Sequence, residues 1–157
     1  MKKQTSKSGF TLLEIMLVTT ILAIIMAIAV PNFLRARRKS QMVLMAKELQ
    51  TYGDAYVLYS ADNGAFPDDT GAATHPAGTD MDARINSAHW AAVNKLGGYY
   101  KYDGPDLVGY AGISLFGINY DYEHLLVIDQ TLDDGDLASG RFRLSADTDR
   151  YTLYLSN

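Results

Sequence analysis

Glu14 is the residue whose chemistry is hardest to place. It is the one charged side chain in residues 10–30, FTLLEIMLVTTILAIIMAIAV, and an ionised carboxylate inside hydrocarbon costs roughly 2–3 kcal/mol even on permissive scales. Nothing else in the run offers it a partner. A cut between Gly9 and Phe10 would create one, a free α-amine of pKa about 8 that is largely cationic at neutral pH. Glu14 then lies four residues along the same helix, within reach of that ammonium or of a neighbouring copy's. An acid in the first turn also complements the helix dipole. A second grouping is Asp133, Asp134 and Asp136 around Gly135, several hard oxygen ligands in a tight turn, which suits Ca²⁺. The same run also reads as a solvated acidic turn. His75, His89 and His124 are far apart, and no H-E-x-x-H spacing, G-x-S-x-G elbow or phosphate-cradling glycine loop is present. There is no cysteine, which excludes thiol catalysis, thiolate zinc sites, disulfides and acyl-cysteine anchoring. No enzyme is expected.

The elements that would position Glu14 follow from composition. Of 157 residues, 48% are apolar and the formal charge is −4, so the chain supports one hydrophobic core and is no general nucleic-acid binder. The apolar residues crowd toward one end. Residues 1–9 are polar and carry Lys2, Lys3 and Lys7. The following 21 residues would extend roughly 32 Å as a helix, enough for a hydrocarbon core of about 30 Å. Pro31 and the basic cluster Arg35, Arg37, Arg38 and Lys39 come next. A secretory signal peptide is one reading, with Ala27-Ile28-Ala29 as a cleavage site, but the apolar run is longer than a usual h-region and holds an acid. A plain anchor explains the length but not Glu14. Charge counting across the run slightly favours the inverted orientation, and the basic cluster reads as a collar meeting lipid head groups or solvent.

Gly9-Phe10-Thr11-Leu12-Leu13-Glu14 after a short basic leader resembles the processing signal of type IV prepilins and pseudopilins. The resemblance covers about residues 1–60. It implies that a membrane prepilin peptidase cuts after Gly9 and methylates Phe10, that Glu14 guides subunit packing, and that Pro31 is the helix-bending proline many such chains carry. It also implies a leader on the cytoplasmic side. Some major pseudopilins bind calcium in a C-terminal loop, although the Asp-Asp-Gly-Asp run here does not match their ligands one by one. Many type IVa pilins close a C-terminal loop with a disulfide, which this chain cannot do, and that tilts the likeness toward pseudopilins or toward a pilin held by packing or a metal.

Beyond the collar, residues 32–60 hold no proline and one glycine, so the helix can continue, reaching roughly 76 Å from residue 10 if unbroken. Met42, Met45, Leu49, Tyr52, Tyr56 and Tyr59 step 3-4-3-4-3 along one face and predict core. Val43, Leu44, Val57 and Leu58 point elsewhere and are candidates for contacts between subunits. Asp62-Asn63-Gly64 predicts the stop. Residues 65–86 read as a long loop, in which Phe66-Pro67 after Tyr56 and Tyr59 resembles a passage common after the pseudopilin helix. Ser87 is expected to cap a helix over 88–96. Residues 99–102 and 109–120 read as strands parted by Gly104-Pro105, and Leu125, Ile128 and Leu132 share the face of a short helix. RFRLSADTDRYTLYL reads as a β-hairpin.

The expected fold is α+β, a long N-terminal helix on a small C-terminal antiparallel sheet. The expected organisation is leader 1–9, membrane and assembly helix 10–31, amphipathic helix 32–62 and head 63–157. The function this implies is a structural pilus-like or pseudopilus subunit. It would be stored as a single-pass protein of the bacterial inner membrane and polymerised into a periplasmic or extracellular filament. Its partners would be the lipid bilayer before assembly, copies of itself in a helical homopolymer, the peptidase, an inner-membrane assembly platform and minor pilins. Losing three leader lysines would leave 11 cations against 18 carboxylates, or −7. A minor initiating subunit, or a displayed recognition module for cargo or DNA, is the alternative. Nucleic acid is the less favoured partner, its one candidate patch being Arg141, Arg143 and Arg150.

Overall fold

The computed structural model describes residues 9–145 and 150–156. The leader apart from Gly9, and the turn of the C-terminal hairpin, lie outside the described residues. Helix α1 spans Leu12–Asn63. It stops where Asp62-Asn63-Gly64 predicts: Gly64 adopts φ 78°, and its N–H bonds the Ser60 carbonyl at 2.8 Å. Pro31 lies inside α1 and has no N–H to offer the carbonyl of Ala27. The chain divides into two units, Met1–Arg37 and Arg38–Asn157. In the first, every described residue is exposed, so its apolar surface is not covered by any of the described residues.

The second unit is the α+β head. After α1 come α2 (Met81–Arg84), α3 (Ser87–Trp90), β1 (Tyr99–Asp103), α4 (Pro105–Val108), β2 (Gly112–Phe116), α5 (Tyr122–Leu132), β3 (Phe142–Ser145) and β4 (Arg150–Tyr154). The strands form one antiparallel sheet in the order β1-β2-β4-β3. The 3-4 stripe of α1 packs as its periodicity predicts: Met42, Met45, Leu49, Tyr52 and Tyr56 are buried and Tyr59 is half-buried. Each such side chain removed from water stabilises the fold by roughly 1.5–3 kcal/mol. The Tyr52 and Tyr100 rings meet edge to face at 5.0 Å, and Tyr56 stacks on Tyr102 at 4.0 Å. Leu44, Val57 and Leu58 remain exposed.

Two sequence expectations need correction. The helix predicted over 88–96 has one turn, and its cap is Asn86, whose side chain accepts the His89 N–H, not Ser87. It stops early because the Asn94 side chain captures the N–H groups of Leu96 and Gly98, a local alternative to helical pairing. The predicted strand over 109–120 begins only at Gly112, because Pro105 opens α4 and Gly109 closes it at φ 75°. It ends at Phe116, where Gly117 follows at φ 66°.

The sheet's other face is also buried, and it is polar. Lys101 Nζ lies 2.7 Å from Asp69 Oδ2 and 2.6 Å from Asp103 Oδ1, while Arg150 Nη2 reaches the same Asp103 oxygen at 2.9 Å. Ser114 donates to the other Asp103 oxygen and bonds Thr152 at 2.8 Å. Two cations thus balance two carboxylates. Removing one partner would strand a buried charge, at a cost of about 3–5 kcal/mol.

Against α1 lies an aromatic cluster centred on the fully buried Trp90, whose indole N–H donates to the Thr74 carbonyl at 3.1 Å. His75 stacks on Trp90 at 5.0 Å, with Nδ1 3.4 Å from the Tyr56 hydroxyl and Nε2 buried without a partner. Burial holds the His75 pKa below its usual value, with Asp82 opposing more weakly. Below about pH 6.5 the unfolded chain therefore binds more protons at this site than the folded head, so His75 withdraws stability as pH falls. Equilibrium unfolding followed by Trp90 fluorescence should show wild type losing more stability between pH 7 and pH 5 than His75→Phe does. Equal slopes would mean that His75 does not titrate in the fold.

Candidate functional site

At the start of α1 the structure corrects one expectation about Glu14. The run does contain a partner: Thr11. Glu14 Oε2 accepts the Thr11 N–H at 2.9 Å and the Thr11 hydroxyl at 2.9 Å, while Thr11 Oγ1 accepts the Glu14 N–H at 3.2 Å. This is a capping box, with Thr11 just before the helix and Glu14 its third residue, so two donors of the frayed end and the carboxylate are satisfied together. Gly9 and Phe10 precede the helix, both exposed, and a Cβ on Gly9 would meet nothing within 4 Å. The 9–10 bond is therefore outside secondary structure and sterically open. An amine liberated at Phe10 would adjoin Thr11 and compete for the carboxylate that Thr11 now holds.

The second site sits at the end of α5. Asp121 opens this helix with its side chain toward the Glu123 N–H, and Leu125 and Ile128 are buried on its inner face, with Leu132 half-buried behind them. Asp129, four residues after Leu125, falls on that same face and is fully buried. Neither Asp129 oxygen has a hydrogen-bond partner within bonding distance, the Gly135 N–H lending only weak support. Ligand atoms of Asp129, Asp133 and Asp134 all lie within 4.8 Å of one another. Asp136, placed in the acidic turn by sequence, is not in this group; its side chain accepts the Ala138 N–H at 3.1 Å. Sequence reading missed Asp129 because it searched the turn and not the helix before it. The available signal was an acid at the i+4 position from Leu125 on an otherwise apolar face.

The turn holds its acids in place. Asp134 accepts from the Asp136 N–H at 3.0 Å and from Ser139 Oγ at 2.9 Å, which keeps its pKa below the usual carboxylate value. Asp133 accepts the Arg141 N–H, and a Cβ on Gly140 would collide with the Asp133 carboxylate. Gly140 also has φ 70°, so both space and backbone demand glycine there. Burial, then the charges of Asp134 and Asp133, push Asp129 up to about 6. Three hard oxygens around one point, one of them buried and unsatisfied, fit a Ca²⁺ ion with its 2.3–2.6 Å ligand distances. A bound cation would supply the countercharge that Asp129 lacks.

Most of the remaining candidates make contacts within the head. His75 stacks on Trp90, and His89 Nδ1 contacts the Tyr52 hydroxyl at 3.1 Å. Of the three arginines considered for nucleic acid, Arg150 pairs with Asp103. Arg143 bonds the Gly140 carbonyl at 2.7 Å and lies over the Tyr154 ring.

Residues 4–30 match the pattern described as a prokaryotic N-terminal methylation motif. The chain is 36% identical over 67 residues to the type II secretion system core protein G of Vibrio cholerae, covering 43% of this chain and 46% of that protein. It is 34% identical over 61 residues to core protein G of Aeromonas hydrophila, covering 39% and 43%. It is 33% identical over 58 residues to the type IV wide pilus major component PilA4 of Thermus thermophilus, covering 37% and 44%. The chain thus covers less than half the length of these relatives. No solved structure matches it significantly. The methylation motif thus lies at the start of one long apolar helix that is followed by a small antiparallel sheet, in a chain similar to type II secretion core protein G and to a type IV pilus component.

If the acidic group binds Ca²⁺, millimolar calcium should raise the thermal midpoint of the head by several degrees, and excess EGTA should reverse it. Asp129→Asn should abolish that response while melting no lower than the metal-free wild type. A calcium response retained in Asp129→Asn would remove Asp129 from the site.

Proposed function

We propose that the chain is a structural subunit of a pseudopilus or type IV pilus-like filament. In this reading it is cut after Gly9, methylated on Phe10 and held in the bacterial inner membrane by α1 until an assembly platform polymerises it. The observation that carries the reading is the methylation motif over residues 4–30, laid on the exposed apolar first part of a helix whose third residue is Glu14. The likeness to core protein G supports the secretion pseudopilus over a surface pilus, and likeness to structural subunits supports a non-catalytic role.

The chemistry follows from the cap. In the uncut chain, Thr11 satisfies Glu14 with neutral donors. After cleavage the Phe10 ammonium adds a full countercharge next to those donors, on the same chain or on a neighbour entering the bundle. The exposed apolar side chains of residues 12–34 then bury against copies of themselves, with dispersion packing as the driving force once lipid is the solvent. Pro31 introduces one missing backbone donor into that rod, the position where it can bend. The same acidic turn would hold Ca²⁺ through Asp129, Asp133 and Asp134, fastening α5 to the segment leading into β3 where no disulfide can.

Intact mass of the mature protein, purified from cells that also express a prepilin peptidase, tests the cut. The expected product begins at Phe10 with one added methyl group, and Gly9→Ala should retain residues 1–9. An N-terminus at any other residue would falsify the proposal. Glu14→Gln should insert and be cleaved normally yet yield at least about tenfold less sheared filament, given that a lost buried ion pair is worth more than 1.4 kcal/mol.

A further inference from the structure

Side chains alternate across the sheet, so with Phe142 and Leu153 buried in the core, Arg143, Thr152 and Tyr154 face the polar side. The pairing continues one residue further, from the Tyr154 N–H to the Arg141 carbonyl, which puts Arg141 on that side too. Arg143 pairs with Thr152, Thr152 with Ser114, and Ser114 with Lys101, one row across the width of the sheet. At the Lys101 end, Asp69 and Asp103 balance Lys101 and Arg150. At the other end, Arg141 and Arg143 have no carboxylate within ion-pair distance among the described residues. The chain has 18 acids to 14 Lys and Arg, so a shortage of acids does not explain two unmatched arginines side by side.

Both side chains are held in place. Arg143, half-buried, lies over the Tyr154 ring at 4.3 Å and donates from Nη1 to the Gly140 carbonyl at 2.7 Å. Arg141 turns its Nε toward the Tyr154 carbonyl at 3.5 Å. The nearby Asp133 is engaged by the Arg141 backbone N–H and not by its guanidinium. The Ser156 hydroxyl accepts the Ala111 N–H at 3.1 Å, which leaves its own proton to donate. These groups, with Leu155, line a cavity of about 240 Å³ that no carboxylate enters. Stacking on Tyr154 orders the Arg143 fork before any ligand arrives, so less conformational entropy is lost on binding.

We propose that this cavity is a binding site for a terminal phosphate group, held between Arg141, Arg143 and Ser156. A carboxylate brings one negative charge and would leave one guanidinium unmatched. A terminal phosphate carries roughly −1.5 to −2 at neutral pH and offers three strong acceptor oxygens, matching two cations and a hydroxyl. The phosphodiester of a nucleic-acid backbone again carries one charge, and Arg150, which would have extended the patch, is committed to Asp103. The ligand chemistry is the same whether the phosphate is free in solution or borne on a lipid head group. The site lies wholly within the head and does not depend on how the chain is processed or assembled.

Titration calorimetry of the full-length chain in neutral detergent micelles, in chloride buffer at constant ionic strength, tests the site. Inorganic phosphate is expected to bind saturably at one site per chain, and acetate at least about tenfold more weakly, because it offers one charge for two guanidiniums. Arg143→Lys keeps the charge and loses the fork, and should weaken phosphate severalfold. Arg141→Gln alters an exposed side chain, should melt at the wild-type temperature, and should weaken phosphate about tenfold or more. Phosphatidic acid added to the micelles identifies the source: competition with inorganic phosphate assigns the group to a lipid, and its absence assigns it to a soluble anion. No saturable phosphate binding, equal affinity for acetate, or a folded Arg141→Gln that binds as tightly as wild type would each overturn the proposal.

Discussion

A carboxylate at the start of an apolar helix must find donors, and most of what distinguishes this chain turns on how it does so. In the uncut chain Glu14 is held by Thr11, through a backbone N–H and a hydroxyl that would otherwise be unsatisfied at the helix end. The arrangement stabilises the first turn and screens the acid without a countercharge. Hydrogen bonds to a charged group contribute roughly 1.5–3 kcal/mol, comparable with the cost of bringing a carboxylate to the edge of hydrocarbon. The proposed processing therefore acts on an acid that is tolerated but not neutralised. A new ammonium at Phe10 would change the charge of the helix end while leaving its geometry in place, and in the proposed function that would let one segment serve both a stored and an assembled subunit.

The same helix meets a different demand beyond residue 38. There it is a spine for the sheet, and its buried stripe of Met, Leu and Tyr is matched by Tyr100, Tyr102, Ile113 and Leu115 on β1 and β2. The head compensates for having no disulfide in two ways. One is the aromatic cluster around Trp90, where rings from α1, α3 and β1 pack in edge and stacked geometries. The other is the Lys101–Asp69–Asp103–Arg150 network on the far face, which ties the loop after α1 to β1 and β4. A buried network of this kind is a weak source of net stability, but it penalises any other register, because a slip of one residue would leave charges unpaired.

The acidic turn after α5 shows how little separates a solvated loop from a ligand cage. Asp133 and Asp134 alone would be ordinary surface acids. What changes their meaning is Asp129, which is buried with both oxygens unsatisfied and therefore a standing electrostatic cost to the metal-free head. A cation bound there would relieve that cost, and the left-handed backbone at Gly135 and Gly140 is what keeps the turn tight.

Local chemistry was enough to make several features legible without coordinates. Apolar run length marks the exposed apolar segment of α1, 3-4 spacing marks the buried stripe from Met42 to Tyr56, Gly64 marks the helix stop, and alternation marks the paired strands β3 and β4, because each depends on residues within a few positions of one another. The partner of Glu14 was also local, a threonine three residues away, and was missed only because the search was for a charge and not for donors. The strand order β1-β2-β4-β3, the polar network that brings Asp69 to Lys101 and Arg150 to Asp103, and the stacking of His75 on Trp90 join residues tens of positions apart. No pattern along the chain encodes them. Asp129 belongs with these: its helical face was readable, but that no donor would reach it inside the core is a property of the packed molecule, since burial and hydrogen-bond satisfaction exist only once distant segments have closed around a side chain.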